Sequence, residues 1–271
     1  MPKQSARAAV AVAHPHAVAA TDLALLVLDA FSLEHPEWSV GELAAALGVY
    51  RSRVHRAVST LLSRGFLQRG ERGKLRLGLK LFELGSIVAA GMDLLRDAAH
   101  PLEALSRETQ TSTWLIQREG DELLDLLKFE PAVPLQVVRR VGTRNPLTFG
   151  VVGKLYLAYL PEAEVARLLT LQPLQRYTEQ TIIDPAEYRA ELARTRARGY
   201  SITRDEIYPG VTALGAPVWD HRGELLAAIA LSAPTIQVPA ERVPELVTAL
   251  LGTAATISRA QGYAAPRQGY S

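Results

Sequence analysis

Residues 39–77 read SVGELAAALGVYRSRVHRAVSTLLSRGFLQRGERGKLRL. Ser39 and Glu42 stand at the S-x-x-E spacing of a capping box, in which each side chain satisfies the other residue's free backbone donor. Val40, Leu43, Ala44 and Leu47 then recur at helical steps, and Gly48 sits where a helix-ending glycine belongs. A further helix follows Val49 and Tyr50, with Val54, Ala57, Val58, Leu61 and Leu62 on one face. Its other face carries Arg51, Ser52, Arg53, His55, Arg56 and Ser59. After Gly65, Phe66–Arg69 and Lys74–Leu77 are short strands around Gly70-Glu71-Arg72-Gly73, with Lys74 and Arg76 pointing outward. Upstream, Asp22–Leu33 has the period of another helix through Ala24, Val27, Leu28 and Phe31, and His35-Pro36-Glu37-Trp38 interrupts it. Helices followed by a basic hairpin describe a winged helix-turn-helix, a reader of double-stranded DNA.

Charge supports that reading through its distribution. The whole chain is only +2, yet residues 51–76 hold eight cations against the single acid Glu71. Arg51, Ser52, Arg53, His55 and Arg56 are the candidate contacts in the major groove, where Arg donates twice to guanine. Lys74 and Arg76 are candidate phosphate contacts, which position rather than specify. The competing view of these cations is a solvated helix face.

The remainder of the 271 residues is long enough for a second domain. Residues 1–20 read as a disordered leader, since two His and two Pro interrupt what might pass for a signal peptide. No apolar run approaches the roughly 20 residues that cross a bilayer, so no membrane partner is expected. The absence of cysteine removes disulfides and thiolate metal sites and fits a cytoplasmic protein. Leu79–Arg96 reads as one helix, either a core helix or a linker that also pairs with a second subunit in a dimer; Pro101 opens the next helix. Thr111–Arg118, Leu123–Phe129 and Leu135–Val141 read as strands; Gly150–Leu160, Glu162–Leu171 and Ala186–Arg198 as helices; Ser201–Arg204, Val211–Trp219 and Glu224–Ser232 as strands before a final helix to Ser258. That order predicts an α+β domain with an antiparallel sheet over residues 99–262, then a tail, 263–271.

No catalytic constellation appears. The chain lacks a G-x-S-x-G elbow, a glycine-rich phosphate loop and an H-E-x-x-H pair, and its six histidines are scattered. No catalytic residue, metal site or cofactor is expected. Two readings stay open from the residues alone: a ligand-responsive DNA-binding regulator, or a small-molecule-binding or hydrolytic domain whose N-terminal helices serve only oligomerisation.

Over residues 21–262 the chain resembles the IclR family of bacterial transcriptional regulators. The resemblance is carried by GELAAALGVYRSRVHRAVSTLLSRGFL and KLRLGLKLFELG, then SRETQTSTWL, NPLTFGVVGKLYLAYL, RARGYSITRDEIYPGVTALGAPVWD and ALSAP, in that order. It implies a winged helix-turn-helix over 21–78, a linker and dimerisation helix over 79–98, and a GAF-like effector-binding domain over 99–262. It also implies a homodimer or a dimer of dimers, and operator binding modulated by a small organic effector on the concave sheet face. The matching positions are Trp114, Thr203, Gly210, Ala213, Leu214, Ala230 and Ser232. The chain departs from the family pattern in three places. Tyr50-Arg51-Ser52-Arg53 replaces a short Ser-Thr pair, which implies a different base sequence. Thr203 stands where small oxo-acid binders carry Asp, with Ala213 and Ala230 where polar residues occur, which implies a larger or more apolar ligand such as an aromatic acid. Phe149-Gly150-Val151 replaces a small-Thr-Ala run before Gly153-Lys154.

Overall fold

The computed structural model describes residues 18–32, 34–131 and 140–264. The expected leader, most of the tail and the strand Leu135–Val141 therefore fall largely outside the described residues. The chain divides into two compact units after Gly91.

In the first unit, α1 (Ala19–Asp29), α2 (Val40–Leu47) and α3 (Arg51–Ser63) enclose a core of Leu23, Val27, Leu43, Val54, Val58 and Leu61. The capping box forms: Ser39 Oγ accepts from Glu42 N at 3.1 Å, and Ser39 N donates to Glu42 Oε2 at 2.6 Å. Gly48 ends α2 at φ 63, a left-handed conformation that glycine adopts without penalty. β1 (Leu67–Arg69) and β2 (Leu75–Leu77) pair antiparallel, and Leu67 and Leu75 close the core. The segment anticipated only as a break holds a third edge of this wing. Trp38 N donates to Leu75 O at 3.0 Å and Leu75 N returns to Trp38 O at 2.7 Å. The Trp38 indole donates to Ala30 O, so the segment between α1 and α2 is tied at both ends.

The single helix anticipated over Leu79–Arg96 is two. α4 (Leu79–Ala90) stops at Gly91, Met92 is extended at φ −97 and ψ 96, and α5 (Asp93–Thr109) begins there. Pro101 lies inside α5 instead of opening a helix. The stripe Leu94, Ala98, Leu102, Leu105 is buried against the sheet, and that burial outweighs the roughly 3 kcal/mol cost of an interior proline.

The second unit is built on a six-stranded antiparallel sheet in the order β5-β4-β3-β8-β7-β6. Its strands are β3 (Ser112–Glu119), β4 (Glu122–Phe129), β5 (Arg144–Pro146), β6 (Ser201–Arg204), β7 (Val211–Trp219) and β8 (Leu225–Pro234). β5 is an edge strand that the sequence reading did not contain. α5 and α9 (Val243–Ala260) cover one face, against Leu115, Leu214, Ile229 and Leu231. The other face meets α6 (Gly150–Tyr159), α7 (Glu162–Leu171) and α8 (Pro185–Arg198), against Trp114, Ile116, Ala228 and Ala230. α6 is apolar all round except for Lys154, the pattern of a helix buried on every side. A Cβ on Gly153 would lie 2.4 Å from Leu147 O, so only glycine lets α6 approach the strand before it. At the outer edge, Arg167 bridges Asp121 and Glu164, and Arg118 also reaches Glu164 at 2.9 Å.

Two outcomes follow. Ser39→Ala removes one half of the capping box and lowers the urea-unfolding free energy by about 1 kcal/mol; an unchanged midpoint would show α2 held by packing alone. Hydrogen bonds from Arg167 and then Arg118 hold Glu164 down at about 2, from an ordinary 4.5. A carboxylate depressed in this way stabilises the fold above pH 4.5 and loses that contribution as pH falls toward about 2. Urea midpoints of wild type and Arg167→Met should therefore differ near neutral pH and converge in strong acid.

Candidate nucleic-acid interface and effector site

The first face to consider lies on α3 and the wing. The buried stripe Val54, Ala57, Val58, Leu61 orients α3, so Arg51, Ser52, Arg53, His55 and Arg56 are all exposed on its opposite side. Tyr50, at the N-cap of α3, is 82% exposed. None of Arg51, Arg53 and Arg56 has an ion-pair partner among the described residues. Arg56 stands on the outer surface.

The wing divides its cations differently from the sequence reading. Lys74 faces Glu42 at 3.6 Å, and Arg76 forms a close ion pair with Glu37. Both are thus engaged within the fold, as tethers between the wing and α2 or its preceding segment. Arg69 and Arg72 are exposed and have no ion-pair partner among the described residues. Arg72 sits at the hairpin tip, at φ 55 and ψ 23, where a residue with a Cβ is strained. An exposed arginine kept in a glycine-like conformation is a functional indication that outward alternation alone could not supply.

The second face lies in the C-terminal unit. Register places Thr203, Ala213, Ser232 and Ser112 side by side in one row across β6, β7, β8 and β3. The next row is Ser201, Gly215, Ala230, Trp114 and Lys128. Thr203, Trp114, Ala230 and Ser232 are buried on the side of α6. The Trp114 indole donates to Ser232 Oγ at 3.3 Å, and Lys128 Nζ lies 4.9 Å from the centre of the Trp114 ring. Gly210, at φ 76, forms the turn at the end of these rows. Leu214 does not belong with them. One residue from Ala213 on a strand, it points to the opposite face and is fully buried against α5 and α9.

Beside the rows, an unforeseen clasp holds the β6–β7 turn. Lys154, 3% exposed in the middle of α6, donates to both oxygens of Glu206 at 2.7 and 2.6 Å. Burial pushes the Glu206 carboxyl up, and Lys154 counters it. Asp205, at φ 58, caps the turn, accepting from Gly210 N at 2.7 Å. Thr178 and Thr181 donate to the carbonyls of Asp205 and Glu206, both at 2.6 Å. Phe149, at the N-cap of α6, meets Tyr177 edge to face at 5.4 Å, on the same covering segment. A lysine in an otherwise apolar helix was the one sequence signal for this clasp, because such a charge is buried only when paired.

The comparisons with known proteins agree with both halves. Residues 20–71 match the model of the IclR helix-turn-helix domain, and residues 87–259 match that of the bacterial transcriptional regulator IclR C-terminal domain. The chain belongs to the IclR family. It is 31% identical to the HTH-type transcriptional regulator XynR of Escherichia coli over 249 residues, covering 92% of this chain and 99% of that one. It is 32% identical to KdgR of the same organism over 231 residues, covering 85% and 88%. Among solved structures, an IclR regulator from Alicyclobacillus acidocaldarius superimposes with a TM-score of 0.83 at 26% identity, over 91% of this chain and all of that one. An IclR homologue from Microbacterium hydrocarbonoxydans, solved with 4-hydroxybenzoate, gives 0.80 at 26%, over 89% and 98%. As an IclR protein, this chain is a DNA-binding transcriptional regulator with a C-terminal effector-binding domain, and its relatives bear the names of regulators rather than enzymes.

The division of the basic residues can be tested on an operator fragment. Arg53→Ala costs about 1–3 kcal/mol and relaxes sequence preference if it reads a base. Arg72→Ala weakens all sequences alike and lowers the salt slope by about one. Arg76→Ala lowers wing stability, with a smaller change in salt slope than Arg72→Ala. Equal slopes for the two wing variants would reverse their roles.

Proposed function

We propose that the chain regulates a catabolic operon from the cytoplasm and that its effector is an aromatic or other carboxylate-type metabolite bound on the α6 side of the sheet. The carrying observation is the Trp114–Ser232–Thr203 surface. An indole wall, small alanines at Ala213 and Ala230 and two hydroxyls suit a flat body with a polar end, and the Lys128 ammonium beside the indole is paired with Glu130. The Microbacterium relative, solved with a hydroxylated benzoate, supports the same ligand class. Gly210 and the Lys154–Glu206 clasp set the position of the turn that ends this surface.

The DNA face is Arg51, Ser52, Arg53, His55 and Arg56, with Arg69 and Arg72 on phosphate or in the minor groove. The protein acts as a homodimer or a dimer of dimers, on half-sites about 34 Å apart. Support comes from α4: none of its residues is buried, and Leu79, Phe82, Ile87 and Val88 are all more than 60% exposed. Effector binding shifts operator affinity only by the difference between its affinities for the two states of the sensor.

Fluorescence anisotropy on the protein's own promoter region, with 4-hydroxybenzoate as probe, tests the reading. A coupled sensor changes operator affinity by roughly 5- to 150-fold, and Ala213→Trp, which fills the polar row, abolishes the change while leaving ligand-free DNA binding intact. No preference for the promoter over random DNA would sink the regulatory part. A preference that no benzoate affects would sink the ligand class alone. Sedimentation of Phe82→Asp, expected to shift toward monomer, tests the α4 interface.

A further inference from the structure

The far end of β7 carries a cavity that the effector reading does not use. Ala213 and Trp219 are separated along β7 by about 20 Å, at a rise of roughly 3.3 Å per residue, and the polar row lies at the Ala213 end. At the Trp219 end a cavity of about 390 Å³ opens between β7, α9 and the turn at Gly199. Its walls are rings and small apolar groups: Tyr159, Trp219, Tyr263, Leu251, Ala254 and Ala255. Tyr159 meets Trp219 edge-on at 4.9 Å, and Tyr263 lies tilted beyond it at 6.3 Å. The edge-on contact leaves an aromatic corner into which a flat body can slide.

The charge at this cavity has one sign. Arg259 lines it, and the Arg196 guanidinium is close enough to act on the Tyr159 phenol, opposing the upward push of burial. Neither arginine has an ion-pair partner among the described residues, and the Arg259 guanidinium donates only to Thr256 Oγ1, at 3.0 Å. The Ser258 hydroxyl is already committed, accepting from Trp219 N and donating to Ala254 O, so it offers no competing anchor. An apolar, ring-walled slot lined by one guanidinium, Arg259, that has no ion-pair partner among the described residues is complementary to an aromatic anion. Its volume is at the low end of the roughly 300–1,000 Å³ usual for small-molecule sites, the scale of one or two fused rings.

We infer that the Tyr159–Trp219–Tyr263 cavity is a second small-molecule site, which binds a fused-ring aromatic monocarboxylate with its rings on Tyr159 and Trp219 and its carboxylate on Arg259. The site joins the sensor through two strands. β7 runs from Trp219 to Ala213, and the Gly199 turn leads into β6, which carries Thr203. A ligand here would act on the same polar row from behind.

Calorimetric titration of the full-length protein with 1-naphthoate, and with neutral 2-naphthalenemethanol for comparison, tests the inference. The acid should bind tighter than the alcohol by about tenfold or more, the usual worth of a hydrogen bond to a charged group. Arg259→Gln should erase that preference, and Ala255→Phe should abolish binding by filling the slot. Ala213→Trp, which blocks the other site, should leave naphthoate binding unchanged, so this outcome is independent of whether the polar row binds an effector. Absence of naphthoate binding overturns the inference, as does binding that survives both Arg259→Gln and Ala255→Phe or is lost in Ala213→Trp. A wild type that binds no naphthoate but changes sedimentation on Ala255→Phe would instead make this face a contact between copies. If Ala255→Phe fails to fold, Arg259→Gln, on an exposed side chain, decides alone.

Discussion

Strand β8 is buried on both faces, and this double burial governs what every neighbouring side chain can do. Ala227, Ile229, Leu231 and Ala233 pack toward α5 and α9, while Ala228 and Ala230 pack toward α6. With side chains alternating at a period of two, a shift of one residue would exchange the two packed faces along the whole strand. The small residues on the α6 side keep that surface shallow, so Trp114 and Ser232 can meet across it. The larger residues on the other side fill a packed core. One sheet thereby carries a packed aliphatic core on one face and the Thr203–Ala213–Ser232 row on the other.

Polar groups near that wall are held by pairing. Lys154 and Glu206 are both largely removed from water, a costly arrangement unless each charge meets the other. The pair joins the middle of a buried helix to the turn that ends β6, and Thr178 and Thr181 fasten the same turn from a third segment. A turn fixed in this way has few alternative positions, which suits the edge of a recognition surface. In the DNA-binding unit, ion pairs have a corresponding effect on the wing. Glu37 and Glu42 engage Arg76 and Lys74, leaving Arg69 and the tip residue Arg72 as the wing's exposed cations without an ion-pair partner among the described residues.

The helices of the DNA-binding unit were legible in the sequence. Ser39 and Glu42, the stripes on α2 and α3 and the glycine at 48 are local signals read over a few turns of chain, and each formed where it was expected. Legibility failed where a partner lay far along the chain. The pairing of Trp38 with Leu75 spans 37 residues of sequence and leaves no periodic trace. The break at Gly91 was hidden because the apolar positions of α4 and α5 continue at near-heptad spacing across it. Pro101 misled in the opposite direction, since a proline that usually opens a helix is tolerated inside one when the stripe around it is buried.

By itself, then, the sequence determined the identity of the elements, the basic surface of α3 and the membership of the chain in its family, because these rest on local spacing and on ordered motifs. The tertiary structure decided which of those residues are available to act. It turned Leu214 into core by strand parity and brought Thr203, Ala213 and Ser232 into one row by register. It also tethered Arg76 while exposing Arg72, and paired Lys154 with Glu206. Those outcomes depend on which distant backbone lies alongside, and sheet register and ion pairing between remote segments exist only once the chain has folded.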